Sequence, residues 1–155
     1  MKNELFSGET MPKSFDEFVE NLQKEIIKRE IKDHNEKIVS LCYNPQNWGK
    51  PSMEEITSLE EQRGGPKNYF LGLYFNIENN MIKKVNFLTD GCGVMIATGS
   101  QITILLEGKT IEFAENLKSE DINKELMGVP ENEEHCLDLA IKTLRSAIKK
   151  YKTRP

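Results

Sequence analysis

No stretch of this chain approaches the ~18 consecutive apolar residues that a membrane-spanning helix requires. The first residues, Met1 to Pro12, hold no apolar core of the kind a secretory leader carries. Neither a membrane partner nor secretion is therefore expected. Positive charge is not in excess: 21 Lys and Arg stand against 25 Asp and Glu, giving a net charge of −4 and a pI of about 5.4. That balance argues against nucleic acid as a partner, because phosphate binding needs a basic surface. Cysteine is scarce, odd in number and widely spaced, at Cys42, Cys92 and Cys136. Such a set makes a poor disulfide framework and reads as reduced thiols in a cytoplasmic protein. Internal repeats and low-complexity tracts are absent.

What is present is 155 residues, 37% hydrophobic and 30% charged. The length is enough for one domain with a core, although the composition is polar for a globular protein. The most informative stretch is Asp90-Gly91-Cys92-Gly93-Val94-Met95-Ile96-Ala97-Thr98-Gly99-Ser100. A β-type segment, Ile82 to Leu88, runs into it, and a helical segment, Val94 to Leu106, runs out. Two glycines let the chain turn sharply and deliver Cys92 to the start of a helix. The free N–H groups there favour a thiolate, the form that acts as nucleophile or soft-metal ligand.

In chain order, Ser14 and Glu17 form a capping-box pair. Phe15, Phe18, Val19, Leu22, Ile26 and Ile27 follow at helical spacing. The charged run Lys28 to Asp33 either continues this helix or separates it from a second one, carried by Ile38, Val39 and Cys42 and ended at Asn44-Pro45. A loop follows from Gln46 to Met53. Ile56 to Gln62 reads as a short edge strand or as another helical turn, the strand being favoured, and Gly64-Gly65-Pro66 as a break. Leu71, Leu73, Phe75 and Ile77 alternate as a strand with one buried face. Asn79-Asn80 makes a hairpin turn, and the returning strand from Ile82 to Thr89 carries an irregularity near Lys83-Lys84. Gly108 stops the helix that follows Cys92. Thr110 caps a short helix through Leu117, Ser119 caps another that ends at Gly128, and an acidic loop, Val129 to Glu134, leads to a last amphipathic helix from His135-Cys136 through Ile148. Helices flank a central antiparallel sheet of three strands, which is an α+β fold.

Cys92 and Cys136 both fall at helix N-termini, and His135 adjoins the second. If the last helix packs on the sheet beside the first, these ends converge. Two thiolates and an imidazole are ligands of the kind that bind Zn²⁺ or iron in tetrahedral sites.

A family resemblance is carried by several segments. Glu36-Lys37-Ile38-Val39 with Asn44-Pro45-Gln46-Asn47-Trp48-Gly49 resembles an opening helix and its Asn-Pro-x-Asn-x-Gly turn. Thr89-Asp90-Gly91-Cys92-Gly93 with Ile96-Ala97-Thr98-Gly99-Ser100 resembles a segment bearing a second cysteine. Gly108-Lys109-Thr110-Ile111-Glu112 resembles the link that follows it. His135-Cys136-Leu137-x-Leu139-Ala140 resembles a segment bearing a last cysteine. Together, from His34 to the C-terminus, they resemble the U-type iron–sulfur cluster assembly scaffolds, the IscU proteins and the N-terminal domain of NifU. The resemblance implies a SufE/NifU-like fold and a scaffold rather than an enzyme. It implies sulfur received from a cysteine desulfurase, and a labile [2Fe–2S] cluster or iron, or Zn²⁺, held by Cys92, Cys136 and His135 for transfer to apo iron–sulfur proteins. It divides the chain into an N-terminal helical extension, residues 1–33, and a scaffold domain, residues 34–155. Oligomeric state is not implied.

The chain departs from the family where the first cysteine belongs. The family's Gly-x-Pro-x-Cys-Gly-Asp loop reads Gly64-Gly65-Pro66-Lys67-Asn68-Tyr69-Phe70, so the cysteine and the aspartate are both missing. Val129-Pro130-Glu131-Asn132-Glu133 stands where the IscU branch carries its Leu-Pro-Pro-Val-Lys chaperone-recognition stretch. These losses motivate an alternative: a degenerate member that binds or regulates the desulfurase system without assembling clusters. A third reading, an enzyme with Cys92 as nucleophile and His135 as base, lacks an orienting residue. Beside the functional readings stand plainer ones: Cys42 as core packing, Asn68 as a turn-former, Trp48 as a packing anchor. Asp90, Glu133 and Glu134 are oxygen ligands for a hard metal or merely solvated acids.

Overall fold

A computed structural model describes residues 14–154, apart from the side chains of Ile27 and residues 30–33. The stretch from Met1 to Pro12 lies outside the described residues. Helix α1 spans Phe15–Asp33 and is capped by Ser14, whose hydroxyl accepts the Glu17 N–H at 3.1 Å. The charged run therefore continues the helix to Asp33. The break comes at Asn35, which caps α2, Glu36–Tyr43, by accepting the Ile38 N–H at 2.9 Å. The same side chain donates to the carbonyls of Leu126 and Gly128, tying the start of α2 to a distant loop.

Three strands follow, β1 over Ser58–Gly64, β2 over Tyr69–Glu78 and β3 over Met81–Thr89. They pair antiparallel in the order β1-β2-β3, which is the α+β architecture expected. The edge strand begins two residues later than the apolar pattern placed it, because Thr57 spends its hydroxyl and N–H on the Phe75 carbonyl before the ladder starts. Asn79 and Asn80 both adopt positive φ, 53° and 60°, the twist a two-residue hairpin needs. The irregularity near Lys83 is a bulge: Asn76 faces Lys84 and Ile77 faces Ile82, which leaves Lys83 unmatched.

Leu71, Leu73, Phe75 and Ile77 of β2 and Ile82, Val85 and Phe87 of β3 share one buried sheet face. Helix α3, Gly93–Leu106, packs on β3, and α6, His135–Lys152, packs on β1 and β2. The turn after α2 docks on α3 through polar side chains. Ser100 accepts the Gln46 N–H at 3.1 Å, and Asn47 donates to Thr103 at 3.1 Å. This gives two buried hydroxyls of α3 partners outside the helix. Trp48 lies edge-on to Phe87 with ring centroids 5.2 Å apart, so the anchor reading holds. Two short helices, α4 (Ile111–Asn116, capped by Thr110) and α5 (Ser119–Glu125), connect α3 to α6. Ser119 does not cap α5: Lys118 holds the N-cap position and its N–H is taken by the Asp121 carboxylate at 2.9 Å.

Phe87 is fully buried between α3, β2 and Trp48. Phe87→Ala is expected to cost about 3–5 kcal/mol and to lower Tm by roughly 10 °C, read by thermal denaturation.

Candidate metal centre

The end of β3 and the start of α3 set the first sulfur. Cys92 is the N-cap of α3, with φ −72° and ψ 179°, and its carbonyl accepts the Ile96 N–H at 3.0 Å. Gly91 leaves room for this turn. A Cβ there would lie 2.7 Å from the Met95 side chain and 3.1 Å from the Tyr69 ring. Cys42, on α2, places its sulfur against Gly93, so this thiol packs beside the turn and is only partly buried.

The start of α6 sets the second sulfur. Cys136 is the second residue of that helix and is fully buried. A short 3₁₀ turn, Glu131–Glu133, precedes it and carries Glu133 to the same place. The Cys92 and Cys136 sulfurs and a Glu133 carboxylate oxygen all lie within 4.8 Å of one another. Glu133 Oε2 is 3.7 Å from Cys92 Sγ and 3.8 Å from Cys136 Sγ. His135 stands beside this group, Nδ1 3.8 Å from Cys136 Sγ and Nε2 3.6 Å from Glu133 Oε2. Its ring rests on Gly65, where a Cβ would come 2.8 Å from Nδ1. The glycine-rich turn thus forms a wall of the site although it carries no cysteine.

Electrostatics divide the two thiols. Cys92 is pulled down to about 4, chiefly by the hydrogen bond from the Cys136 thiol; burial opposes, while the Met95 N–H, the Tyr69 hydroxyl and the Val94 N–H add to the lowering. Met95 and Val94 supply N–H groups of the first turn of α3, which have no partner within the helix. Cys136 is pushed well above the ordinary thiol range by that same bond, by burial and by the negative charge of Cys92 and Glu133. The surroundings thus favour the thiolate on Cys92 and disfavour it on Cys136. Tyr69 is pushed up to about 12 by its hydrogen bond to Cys92, by burial and by the surrounding negative charge.

Asp90 is engaged elsewhere. Its carboxylate accepts the Phe70 N–H at 2.7 Å and an Arg63 N–H at 3.2 Å, and these bonds hold it below the usual carboxylate range, the Phe70 N–H contributing most. Arg63 also donates to the Asn68 carbonyl at 3.0 Å. Asn68 has φ 55°, the turn-forming conformation expected of it. Asp90 and Arg63 therefore fasten the Gly64–Phe70 turn to the Cys92 turn.

The model of the NifU-like N terminal domain matches residues 33–155. This chain belongs to that family. It is 38% identical over 122 residues to an iron-sulfur cluster assembly scaffold protein IscU of Aquifex aeolicus, a match covering 77% of this chain and 76% of that one. It is 31% identical over 118 residues to IscU 1 of Archaeoglobus fulgidus, covering 76% of each. Among solved structures, the N-terminal part of a NifU-like protein from Brucella abortus superposes with a TM-score of 0.65 at 13% identity, over 83% of this chain and 99% of that one. That last likeness concerns the fold.

Sequence reasoning named Cys92, Cys136 and His135. The structure brings the two cysteines together, gathers Glu133 with them, and sets His135 alongside. In the sequence Glu133 is one of three equivalent acids, with Asp90 and Glu134. Its signal was its place three residues before Cys136, one turn away on the same approach to α6. Nothing in its local sequence marks Tyr69 as a neighbour of the site.

Proposed function

We propose that this NifU-family chain works as an iron–sulfur cluster assembly scaffold. It holds iron with sulfide, or Zn²⁺, through Cys92 and Cys136, with His135 as a further ligand and Glu133 supplying a carboxylate oxygen. The observation that carries this reading is the convergence of two sulfurs and one carboxylate oxygen within 4.8 Å at the junction of α3 and α6. Thiolate, imidazole and carboxylate are the donor types of zinc and iron sites. With fewer thiolates than the family pattern, the site keeps an open position for sulfide, an added thiol or a partner's residue. Cys92, anionic and partly exposed, is the sulfur suited to receive sulfur from a cysteine desulfurase, and apo iron–sulfur proteins are the recipients of the cargo.

Residues 34–155 are taken as the scaffold domain and residues 1–33 as an extension, in keeping with a family match that begins at residue 33. A cytoplasmic setting suits three thiols that no disulfide joins. Among the described residues no helix is long and apolar enough to cross a membrane.

The absence of cysteine and aspartate from Gly64–Phe70 favours a second reading, a partner-binding or regulatory module for the desulfurase system. One experiment separates the two. Protein purified without oxygen is reconstituted with ferrous iron and sulfide, then assayed for iron, acid-labile sulfide, zinc and visible absorption. Iron and sulfide in stoichiometric amount are the expected result. Zinc alone would keep the metal site and remove assembly. Neither, in folded protein that still binds desulfurase, would establish the second reading.

A further inference from the structure

Helix α1 is amphipathic but has little to pack against. None of its described side chains is buried, and its principal contact is with α2. Phe15 and Val19 are 77% and 45% exposed, one turn apart on the same face. Asp16 and Glu20 form a parallel acidic row beside them, and among the described residues neither has a cationic partner. A helix draws most of its stability from burying such an apolar face, so this one calls for a partner. The opposite pattern lines a groove between α4 and the C-terminal half of α6. The groove has a volume of about 380 Å³ and is mostly apolar, with Ala114 and Ile148 set against the aliphatic stems of Arg145, Lys149 and Lys152. Lys142, Arg145, Lys149 and Lys152 recur every three or four residues and so share one side of α6. Arg145 donates to the carbonyls of Glu115 and Leu117, and Lys152 pairs with the Glu115 carboxylate. Lys142 and Lys149 are left without an acidic partner among the described residues.

We propose that the groove between α4 and α6 receives the N-terminal half of α1 from a second copy of this chain, and that two such contacts, exchanged reciprocally, close a dimer. Phe15 and Val19 cover the apolar floor, while Asp16 and Glu20 meet the unpaired cations Lys142 and Lys149. The 19 residues of α1 extend about 28 Å at 1.5 Å per residue, which lets the helix reach a neighbouring molecule. Each copy offers the same helix and the same groove, as a twofold axis requires. Lys149 lies about 20 Å along α6 from Cys136, so the metal centre stays open in the dimer. The extension thereby has a role that does not depend on the metal-site reading.

The test is sedimentation velocity of the full chain across the micromolar range, for wild type, Glu20→Lys, Lys149→Glu and an equimolar mixture of the two variants. Both positions are exposed, so thermal stability of each variant serves as the folding control. Expected is a wild-type dimer, weakened about tenfold or more in each variant alone because like charges then face one another. In the mixture one contact pairs the two reversed charges and the other pairs the two original ones, so the dimer returns. Damage to either surface would not be repaired by mixing. A wild type that stays monomeric throughout would overturn the proposal. So would a dimer indifferent to both reversals, or a mixture as weakly associated as its parts. Metal content should be the same in all four samples, which keeps this result separate from that for the metal centre.

Discussion

Cys92→Ala is expected to abolish stoichiometric metal while leaving the protein folded. Cys92 supplies one of two sulfurs in the group, and its loss leaves one thiol, a carboxylate and an imidazole. Loss of a direct ligand should exceed the roughly 10–100-fold that loss of an outer partner costs. The fold should tolerate the change: Cys92 is only partly buried, so a cost below about 1 kcal/mol is expected. Cys136→Ala should likewise lose the metal, with a larger stability cost because that side chain is fully buried. Cys42→Ala is the informative control. Its sulfur packs against Gly93 and is not part of the three-atom group, so metal content should stay at the wild-type level. Metal analysis of the three variants, purified without oxygen, checks all of this. Unchanged metal in both Cys92→Ala and Cys136→Ala would remove the site.

The parts of this fold that could be read from the sequence are those whose cause is local. Alternation from Leu71 to Ile77 is a property of four side chains on one strand, and the Asn79-Asn80 turn is a property of two residues that tolerate positive φ. Caps at Ser14 and Thr110 were legible for the same reason. The cap of α5 was not, because Ser119 and Lys118 differ only in which N–H the Asp121 carboxylate reaches. Nor was the second use of Asn35, whose amide joins loops more than ninety residues apart in sequence.

The site divides in the same way. Cys92 and Cys136 were found because each begins a helix, and Gly91 announces the first turn. Their approach to within 4.8 Å depends on α6 crossing the sheet beside α3, which local pattern leaves open and the family resemblance supplies. Glu133 was ambiguous because an acidic loop offers several equivalent carboxylates until the 3₁₀ turn selects one. Asp90 illustrates the reverse case. A carboxylate two residues from a candidate ligand cysteine invites a ligand role, yet its oxygens are engaged by the Phe70 N–H and Arg63. Tyr69 comes against Gly91 where β2 begins and β3 ends, a long-range pairing invisible in either segment alone.

In metal-free protein Cys92 should be alkylated by iodoacetamide at a rate nearly independent of pH from about 6 to 8, falling as pH drops toward about 4. The sign follows from the charge arrangement. The thiolate is the reactive form, and lowering its pKa means the anion persists to more acidic pH. An unperturbed thiol has a pKa of about 8.5 and would instead react roughly tenfold faster for each pH unit gained over that range. Cys136 should stay unreactive, being buried and pushed well above the ordinary thiol range. Cys136→Ala removes the largest contribution to the lowering, so the inflection for Cys92 should move to higher pH and the rate at pH 6 should fall. It should not move all the way to the ordinary thiol value, because the Met95 and Val94 N–H groups and the Tyr69 hydroxyl remain. Mass spectrometry of the Cys92 peptide across a pH series reads the profile. An inflection near that of a free thiol in the wild type would show that the surroundings do not stabilise the Cys92 thiolate. It would also deprive Cys92 of the standing anion that sulfur acceptance at neutral pH depends on.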